Sequence, residues 1–292
     1  MEIRETARGL LARTPAKLNL FLEILGKRPD GYHELVSIMQ TVSLYDEIEF
    51  ERADEGIALS SSTPEAPADA SNLVHKAATL LQAESGSRSG ARISLTKRIA
   101  IGAGMGGGSS DAAATMIALN RLWGLELQPD RLHDLAARLG SDVPFFLKGG
   151  TSLCRGRGEI IEPLEGVAPL TYVIVMPWVS VSTREVYQNY RPDLTSAPVD
   201  YKLFLNKLRG TVRLEEPIFF NRLEAVTTQL VPQLIVVAES MKRAGLRGVT
   251  MTGSGSAFFG VPPVRKEASK AVAELSQLGL GQVVMADTVG AA

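Results

Sequence analysis

The chain has 292 residues, 45% of them apolar, with 31 Lys and Arg against 32 Asp and Glu, a length that exceeds the usual single domain and predicts two domains sharing a cleft. A formal charge of -1 without any long Lys/Arg run gives no general field for nucleic acid or acidic membranes, and no run of about 18 apolar residues is present to span a bilayer. Cys154 is the one cysteine; alone it makes neither an internal disulfide nor a cysteine metal cluster, which suits a reducing cytoplasm.

Glu2, Arg4, Glu5 and Arg8 precede only a short apolar stretch, so the beginning of the chain reads as no secretory signal. Alternation from Leu18 to Leu25 predicts a strand with Lys17 and Asn19 on one face and Leu18 and Leu20 on the other. On that pattern alone Lys17 also reads as a solvated edge lysine. Gly26 to Glu34 is a Pro-Asp-Gly turn carrying two cations, Tyr32 and His33. A ring and an imidazole at a turn tip point to something that stacks on them. Leu35 to Phe50 reads as strands broken at a Tyr45-Asp46-Glu47 turn, and residues 52 to 70 as a surface loop around one short strand. A helix follows from Ser71, with Leu73, Val74, Ala77, Leu80 and Leu81 on one side and His75 as a structural residue at its rim. Ala91 to Ala100 is the next strand.

That strand feeds the stretch KRIAIGAGMGGGSSDAAATMIALNRL from Lys97 to Leu122, in which Gly102, Gly104, Gly106, Gly107 and Gly108 precede an Ala-rich helical pattern. Glycines of this kind let the backbone approach another molecule closely. Ser109 or Ser110 is the expected N-cap, so the loop brings N–H groups and the positive end of a helix dipole to one point suited to phosphate. Gly102, Gly104 and Gly107 fit the dinucleotide spacing, but no second strand ending in an acid follows the helix. Gly102 to Ser109 also has the P-loop frame, except that Gly108 stands where the lysine belongs.

Asp130 is the expected cap of the next helix, with Leu132, Leu135, Ala136 and Leu139 inward, His133 outward and Gly140 as its stop. Asp142 then sits at a helix exit, beside a residue that Pro144 is expected to hold extended. A change of pace at Gly149-Gly150 and Arg155-Gly156-Arg157-Gly158 leads to a division into residues 1 to 160 and 161 to 292. The second part reads as a strand at Leu170 to Met176, a helix start at Thr183 to Tyr187, and helices near 199 to 209, 220 to 230 and 232 to 244. Strands at Gly248 to Met251 and Ser256 to Val261, a helix at 264 to 278 and a strand at 281 to 286 complete a split α/β sandwich.

Pro15-Ala16-Lys17-Leu18-Asn19-Leu20, the glycine loop and Met251-Thr252-Gly253-Ser254-Gly255-Ser256 together resemble the three motifs of the GHMP kinases, in order and spread over nearly the whole chain. That resemblance implies an α+β fold of two domains. An N-terminal mixed α/β domain would carry the glycine-rich phosphate loop, a C-terminal ferredoxin-like α/β sandwich would follow, and a cleft would lie between them. Within the family, PAKLNLFL with KRPDGYHE and GSDVPFF is similar to the members that phosphorylate the 2-hydroxyl of an alcohol bearing a cytidine diphosphate group, in non-mevalonate isoprenoid precursor synthesis. The alternative is another member, acting on a mevalonate derivative, a sugar or homoserine. A nucleotide-binding protein without kinase activity is the rival of another class, and it would need neither Lys17 nor Asp142.

The resemblance assigns Asp142 and Lys17 as catalytic, and Asn19, Tyr32, His33 and Tyr187 to the substrate, with Tyr187 as a second ring of a nucleobase clamp. It assigns Lys97, Ala100, Ile101, Gly102, Ala103, Gly104, Met105, Gly106, Gly107, Gly108, Ser109 and Ser110 to ATP, with Gly253, Ser254 and Gly255 closing on it. Ala100 replaces a proline common before the loop and Met105 replaces its leucine. Phosphoryl transfer to an alcohol needs the hydroxyl proton accepted and the spreading charge offset, roles open to the Asp142 carboxylate and the Lys17 ammonium. Mg2+ is expected with ATP, resting mainly on phosphates and water, with Asp111, Ser109 and Ser110 near it in sequence. The expected partner is a small molecule with a cytidine diphosphate group, without nucleic acid or membrane, for a cytoplasmic monomer or weak homodimer.

Overall fold

A computed structural model describes residues 1–191, 199–209 and 219–290. Strands β1 (Glu2–Thr6), β2 (Gly9–Lys27) and β3 (His33–Ala53) run antiparallel, with Gly9 opposite Glu51 and Lys27 opposite His33. Strand β2 extends well beyond residues 18 to 25. Every residue from Thr14 to Ile24 is buried, so Thr14, Lys17, Asn19 and Glu23 interrupt the apolar pattern from inside the protein, where alternation cannot report them.

Strand β3 also runs unbroken through Tyr45-Asp46-Glu47, where the sequence suggests a turn. The pairing shifts from Pro15 opposite Tyr45 to Ala16 opposite Val42, so Ser43 and Leu44 form the irregularity instead. Asp46 is buried because the backbone N–H groups of Arg98 and Ile99 both donate to its Oδ1. The first sheet continues with β4 (Ile57–Ser61) and β5 (Gly90–Thr96) in the order β1-β2-β3-β5-β4, while β6 (Thr151–Gly156) pairs with β3 and β7 (Ile160–Pro163) with β6.

Helices α1 (Leu73–Ser85), α2 (Gly107–Trp123), α3 (Pro129–Leu139) and α4 (Val143–Lys148) share one core with this sheet, in which Phe50, Ile93, Leu81, Leu119 and Phe145 meet. Ala112, Ala113, Ala114 and Ala118 are all buried, and their small side chains let α2 lie close to β2. Two caps differ from expectation. Gly106, at φ 69°, lets α2 begin before Ser109 and Ser110, and Gln128 rather than Asp130 precedes α3, with Asp130 in its first turn. Asp142 is itself αR at the start of α4, and Val143 opens that helix despite the following proline.

The chain leaves the first sheet at Pro163 and enters the second at β8 (Thr171–Pro177). Helices α5 (Thr183–Asn189), α6 (Tyr201–Arg209), α7 (Glu224–Leu230) and α8 (Gln233–Arg243) follow, then β10 (Arg247–Met251), β11 (Phe258–Val261), α9 (Ala268–Gln277) and β12 (Gly281–Asp287). The antiparallel order β10-β11-β8-β12 with α8 and α9 is the ferredoxin-like sandwich. The expected helix at 220 to 230 divides: Phe220–Asn221 forms β9, parallel to β2, before α7 begins. Asn221 causes the break, since its side-chain amide donates to Met251 O and Gly253 O while its Oδ1 receives the Leu223 N–H.

Strand β8 is buried on both faces. Tyr172, Ile174 and Met176 meet Leu18, Phe21 and Ile38 of the first sheet, whereas Val173 and Val175 join Leu234, Val237 and Leu275 under α8 and α9. A buried ion pair adds to this joint: the Arg222 Nε and Nη2 donate to Glu23 at 2.7 and 2.6 Å.

Candidate active site

The glycine loop is wedged between β2 and the turn from Thr252 to Ala257. Lys17 N–H donates to Met105 O at 2.9 Å, and Ala257 N–H donates to Ala103 O at 3.1 Å. Gly104 has φ 78°, and a Cβ there would lie 2.1 Å from Thr252 O. No other residue lets loop and turn approach so closely. The loop then delivers the N-terminus of α2, whose first N–H groups have no acceptor within the helix, to an open space.

Beneath that helix start lies a cluster of buried charge. Lys97 Nζ pairs with Asp46, and with Asp111 Oδ2 at 2.8 Å, while Thr14 Oγ1 donates to Asp111 Oδ1 at 2.8 Å. Burial opposes the Lys97 charge, but the two carboxylates outweigh it and hold this ammonium above its ordinary range. Burial raises the Asp111 carboxyl to about 6, with Asp46 adding to the rise and Lys97 opposing it.

Across the loop, Lys17 Nζ stands 3.5 Å from Asp142 Oδ2, with 3% and 30% of the two side chains exposed. Among the described residues, neither group belongs to a cluster of three or more His, Cys, Asp or Glu. Lys17 also donates to Asn19 Oδ1, and Asn19 is held in turn: its Nδ2 donates to Ser37 Oγ at 2.8 Å, and Thr252 Oγ1 donates to its Oδ1 at 3.2 Å. Asp142 makes no side-chain bond to the start of α4, so its carboxylate faces the lysine rather than the local backbone.

The tip of the β2–β3 hairpin completes the third wall. Arg28 N–H donates to Tyr32 O and Tyr32 N–H to Asp30 Oδ1, a tight turn that leaves Tyr32 53% exposed. The His33 ring lies 5.3 Å from the Tyr187 ring, tilted by 33°, with Tyr190 edge-on to it at 5.8 Å. Burial, then the Lys27 charge, lower the His33 pKa and favour a neutral imidazole. Burial, then the charge of Asp142, push the Tyr187 hydroxyl up.

One cavity of about 1310 Å³ joins these walls. Of the residues singled out from the sequence, all but Ser110 and Gly255 line it. The Ser110 hydroxyl is buried behind the loop without a hydrogen-bond partner, and Gly255 packs against Met251 and Thr227. Sequence reasoning missed Asp46, Thr14 and Arg157. Asp46 was masked by its polar neighbours. Arg157 lies in an Arg-Gly-Arg-Gly run that reads as a connector; its guanidinium stands 4.7 Å over the Tyr32 ring.

Among the described residues no group of three or more His, Cys, Asp or Glu is placed to hold a metal ion, and no helix is long and apolar enough to cross a membrane.

The N-terminal domain of the GHMP kinases matches residues 72–150, and the C-terminal domain of the same kinases matches residues 206–280. A 4-diphosphocytidyl-2-C-methyl-D-erythritol kinase of Pelotomaculum thermopropionicum is 43% identical over 254 residues, covering 86% of this chain and 88% of that protein. The crystal structure of a 4-(cytidine 5'-diphospho)-2C-methyl-D-erythritol kinase superposes with a TM-score of 0.82 at 37% identity, over 96% of this chain and 99% of that one. A homoserine kinase from Cytophaga hutchinsonii shares the fold, with a TM-score of 0.75 at 19% identity over 100% and 98% of the two chains. The chain therefore belongs to the GHMP kinases and, within them, to the family of the 4-diphosphocytidyl-2-C-methyl-D-erythritol kinases.

Proposed function

We propose that this kinase transfers the γ-phosphoryl group of ATP to the 2-hydroxyl of 4-diphosphocytidyl-2-C-methyl-D-erythritol, giving the 2-phosphate and ADP. The observation that carries the reading is the Lys17–Asp142 pair, 3.5 Å apart, on a cavity wall between a helix N-terminus and a group of aromatic rings. A phosphate donor fits the first end and a nucleobase the second. The acceptor hydroxyl then lies against Asp142. As the new O–P bond forms and the bond to the bridging oxygen of ADP breaks, the hydroxyl proton passes to the Asp142 carboxylate. Lys17 offsets the charge spreading over the transferred oxygens, and Asn19 holds its ammonium in place.

The donor set suits a divalent cation that arrives on the nucleotide rather than one held in a protein cage. Asp111 is engaged by Lys97 and Thr14, while the orphaned Ser110 hydroxyl, with Ser109 beside it, lies at the start of α2. Mg2+ bound there would neutralise charge on the β- and γ-phosphates. At the far end, Tyr32, His33 and Tyr187 offer ring faces, and a neutral imidazole has both a donor and an acceptor for a base edge. The cytoplasm, which supplies ATP and keeps the buried Cys154 a thiol, suits this reaction.

The test is ADP release with Mg-ATP and the cytidine substrate, run beside Asp142→Asn, with cytidine as a competitor. Turnover that cytidine inhibits and that falls by about 10²-fold or more in the variant supports the reading. Turnover of mevalonate or homoserine in its place, insensitive to cytidine, would overturn the substrate.

A further inference from the structure

The chain as a whole carries a formal charge of -1, yet its cavity is lined by Lys17, Lys27, Lys97, Arg157, Arg184 and Arg191 against Glu65, Asp111 and Asp142. This excess of cations is not spread evenly. Lys17 faces Asp142, and Lys97 faces Asp111 and Asp46, so the buried cations have carboxylates beside them. Lys27, Arg184 and Arg191 are exposed, and among the described residues they pair with no carboxylate. We infer that Arg184 and Arg191 form a positive rim that attracts anionic ligands into the cavity from a distance and takes no part in the transfer itself. Nucleotide phosphates are anionic in any kinase of this family. Attraction of the second ligand rests on the proposed substrate, whose diphosphate supplies its charge.

Helix α5 sets both cations at the rim. Residues 184, 187, 188 and 191 follow the spacing of one helical face, and all four line the cavity, whereas the exposed acid Glu185 does not. The start of the helix is anchored. Ser182 Oγ accepts the Glu185 N–H at 3.4 Å, and Thr183 Oγ1 lies 2.8 Å from Ser254 Oγ, in the turn beside the glycine loop. Past the other end, Arg191 Nη1 donates to Gln188 O at 2.9 Å and to Tyr190 O at 3.1 Å. Carbonyl oxygens carry no formal charge, so these bonds hold the guanidinium in place without neutralising it. Arg184 makes no hydrogen bond or ion pair among the described residues. Fixed charges of one sign around a cleft focus the field and raise the local concentration of oppositely charged ligands.

The test follows kcat/KM for the cytidine substrate, and the affinity for ADP by calorimetry, as potassium chloride is raised. The proteins are the parent, Arg184→Gln, Arg191→Gln and the double variant. Charges act over about 30 Å at 0.01 M salt and about 3 Å at 1 M, so attraction from the rim is strong in the first and erased in the second. Each single variant is expected to lose about threefold in both quantities at low salt and the double variant about tenfold. At high salt all should equal the parent, and cytidine, which has no phosphate, should bind all of them equally throughout. Arg88→Gln removes the same charge from an exposed position that does not line the cavity, and should match the parent at every salt concentration. A loss that persists at high salt would mean direct contact with a ligand, and a loss shared by Arg88→Gln would mean an effect of net charge alone. Either result, or no loss at low salt, would overturn the inference. Thermal unfolding checks each fold, and Arg184→Gln, which breaks no bond, decides the matter if Arg191→Gln is unstable. A salt-sensitive loss of ADP affinity without turnover of the cytidine substrate would overturn that substrate and leave the rim standing.

Discussion

Lys17 and Lys97 stand in the wall of the same cavity at nearly the same depth, with 3% and 6% of their side chains exposed. Their surroundings differ in kind. Lys97 meets two carboxylates that are themselves all but sealed from solvent, at 0% and 2% exposure, and both are fixed to other elements: Asp46 to the backbone of residues 98 and 99, Asp111 to Thr14. Lys17 meets one carboxylate, 30% exposed, and an uncharged amide. The first ammonium is more than neutralised by protein and serves to bind β3, the strand before the glycine loop and α2 together. In the proposed reaction the second keeps charge to spare for a phosphoryl group. Depth alone does not tell a structural lysine from one available for chemistry; the number and exposure of its counter-charges does.

That contrast can be broken by substitution. Asp142→Asn and Lys17→Met should each lower kcat, the first by about 10²- to 10⁴-fold, with a smaller loss of stability than at Lys97, because Asp142→Asn leaves Lys17 its bond to Asn19 Oδ1 and Lys17→Met leaves a carboxylate that solvent still reaches. Lys97→Met should do the reverse in its main effect, lowering stability by about 3–5 kcal/mol by leaving buried carboxylates unpaired, as read from denaturant unfolding. A stable Lys97→Met protein with low kcat would show that the contrast is wrong. Removing a ring is a smaller change: Tyr187→Ala should raise the KM for the cytidine substrate by about tenfold, the scale of one base stacked on an aromatic side chain, with the KM for ATP unchanged.

The smallest expected effect is a slope with pH. Asp111 is raised by burial to about 6 from 3.8, so the folded protein holds a proton that the unfolded chain has released. Its contribution to stability is full below the unfolded value and is lost as pH rises through about 6. Unfolding followed from about pH 4 to pH 7 should show this decline in the parent and a shallower one in Asp111→Asn. An equal slope in both proteins would place the titration on another group.

The phosphate end of the cavity was legible in the sequence because its requirement is local. Glycines in one short run, followed by an alanine-rich helical pattern, state where backbone must approach a ligand. Even there the helix start was misread, since a glycine in the left-handed region can open a helix two residues before the serines that look like caps. Asp46 was not legible at all. The two backbone N–H groups that donate to it lie 52 and 53 positions away, and a buried acid surrounded in sequence by Tyr and Glu has the local signature of a turn. Long β2 was read short for the same reason, as its polar residues point to a second layer of protein rather than to water. Family resemblance singles out Lys17 and Asp142; periodicity alone also fits a solvated edge lysine and an ordinary turn aspartate.

Strand β8, buried on both faces, has a mechanical consequence. Tyr172, Ile174 and Met176 belong to the core that also contains Leu18 and Phe21, four residues or fewer from Lys17 and Asn19. Prising the two halves apart would expose that core, so the groups proposed to act on the substrate are mounted in a stiff frame rather than on separate jaws. Among the described residues, the Tyr32 hairpin tip and the Arg157 turn stand at the rim of the cavity, outside that core. Substrate capture and product escape would then be set by how fast two short loops yield, while the bed on which phosphoryl transfer takes place stays in its assembled shape throughout the cycle.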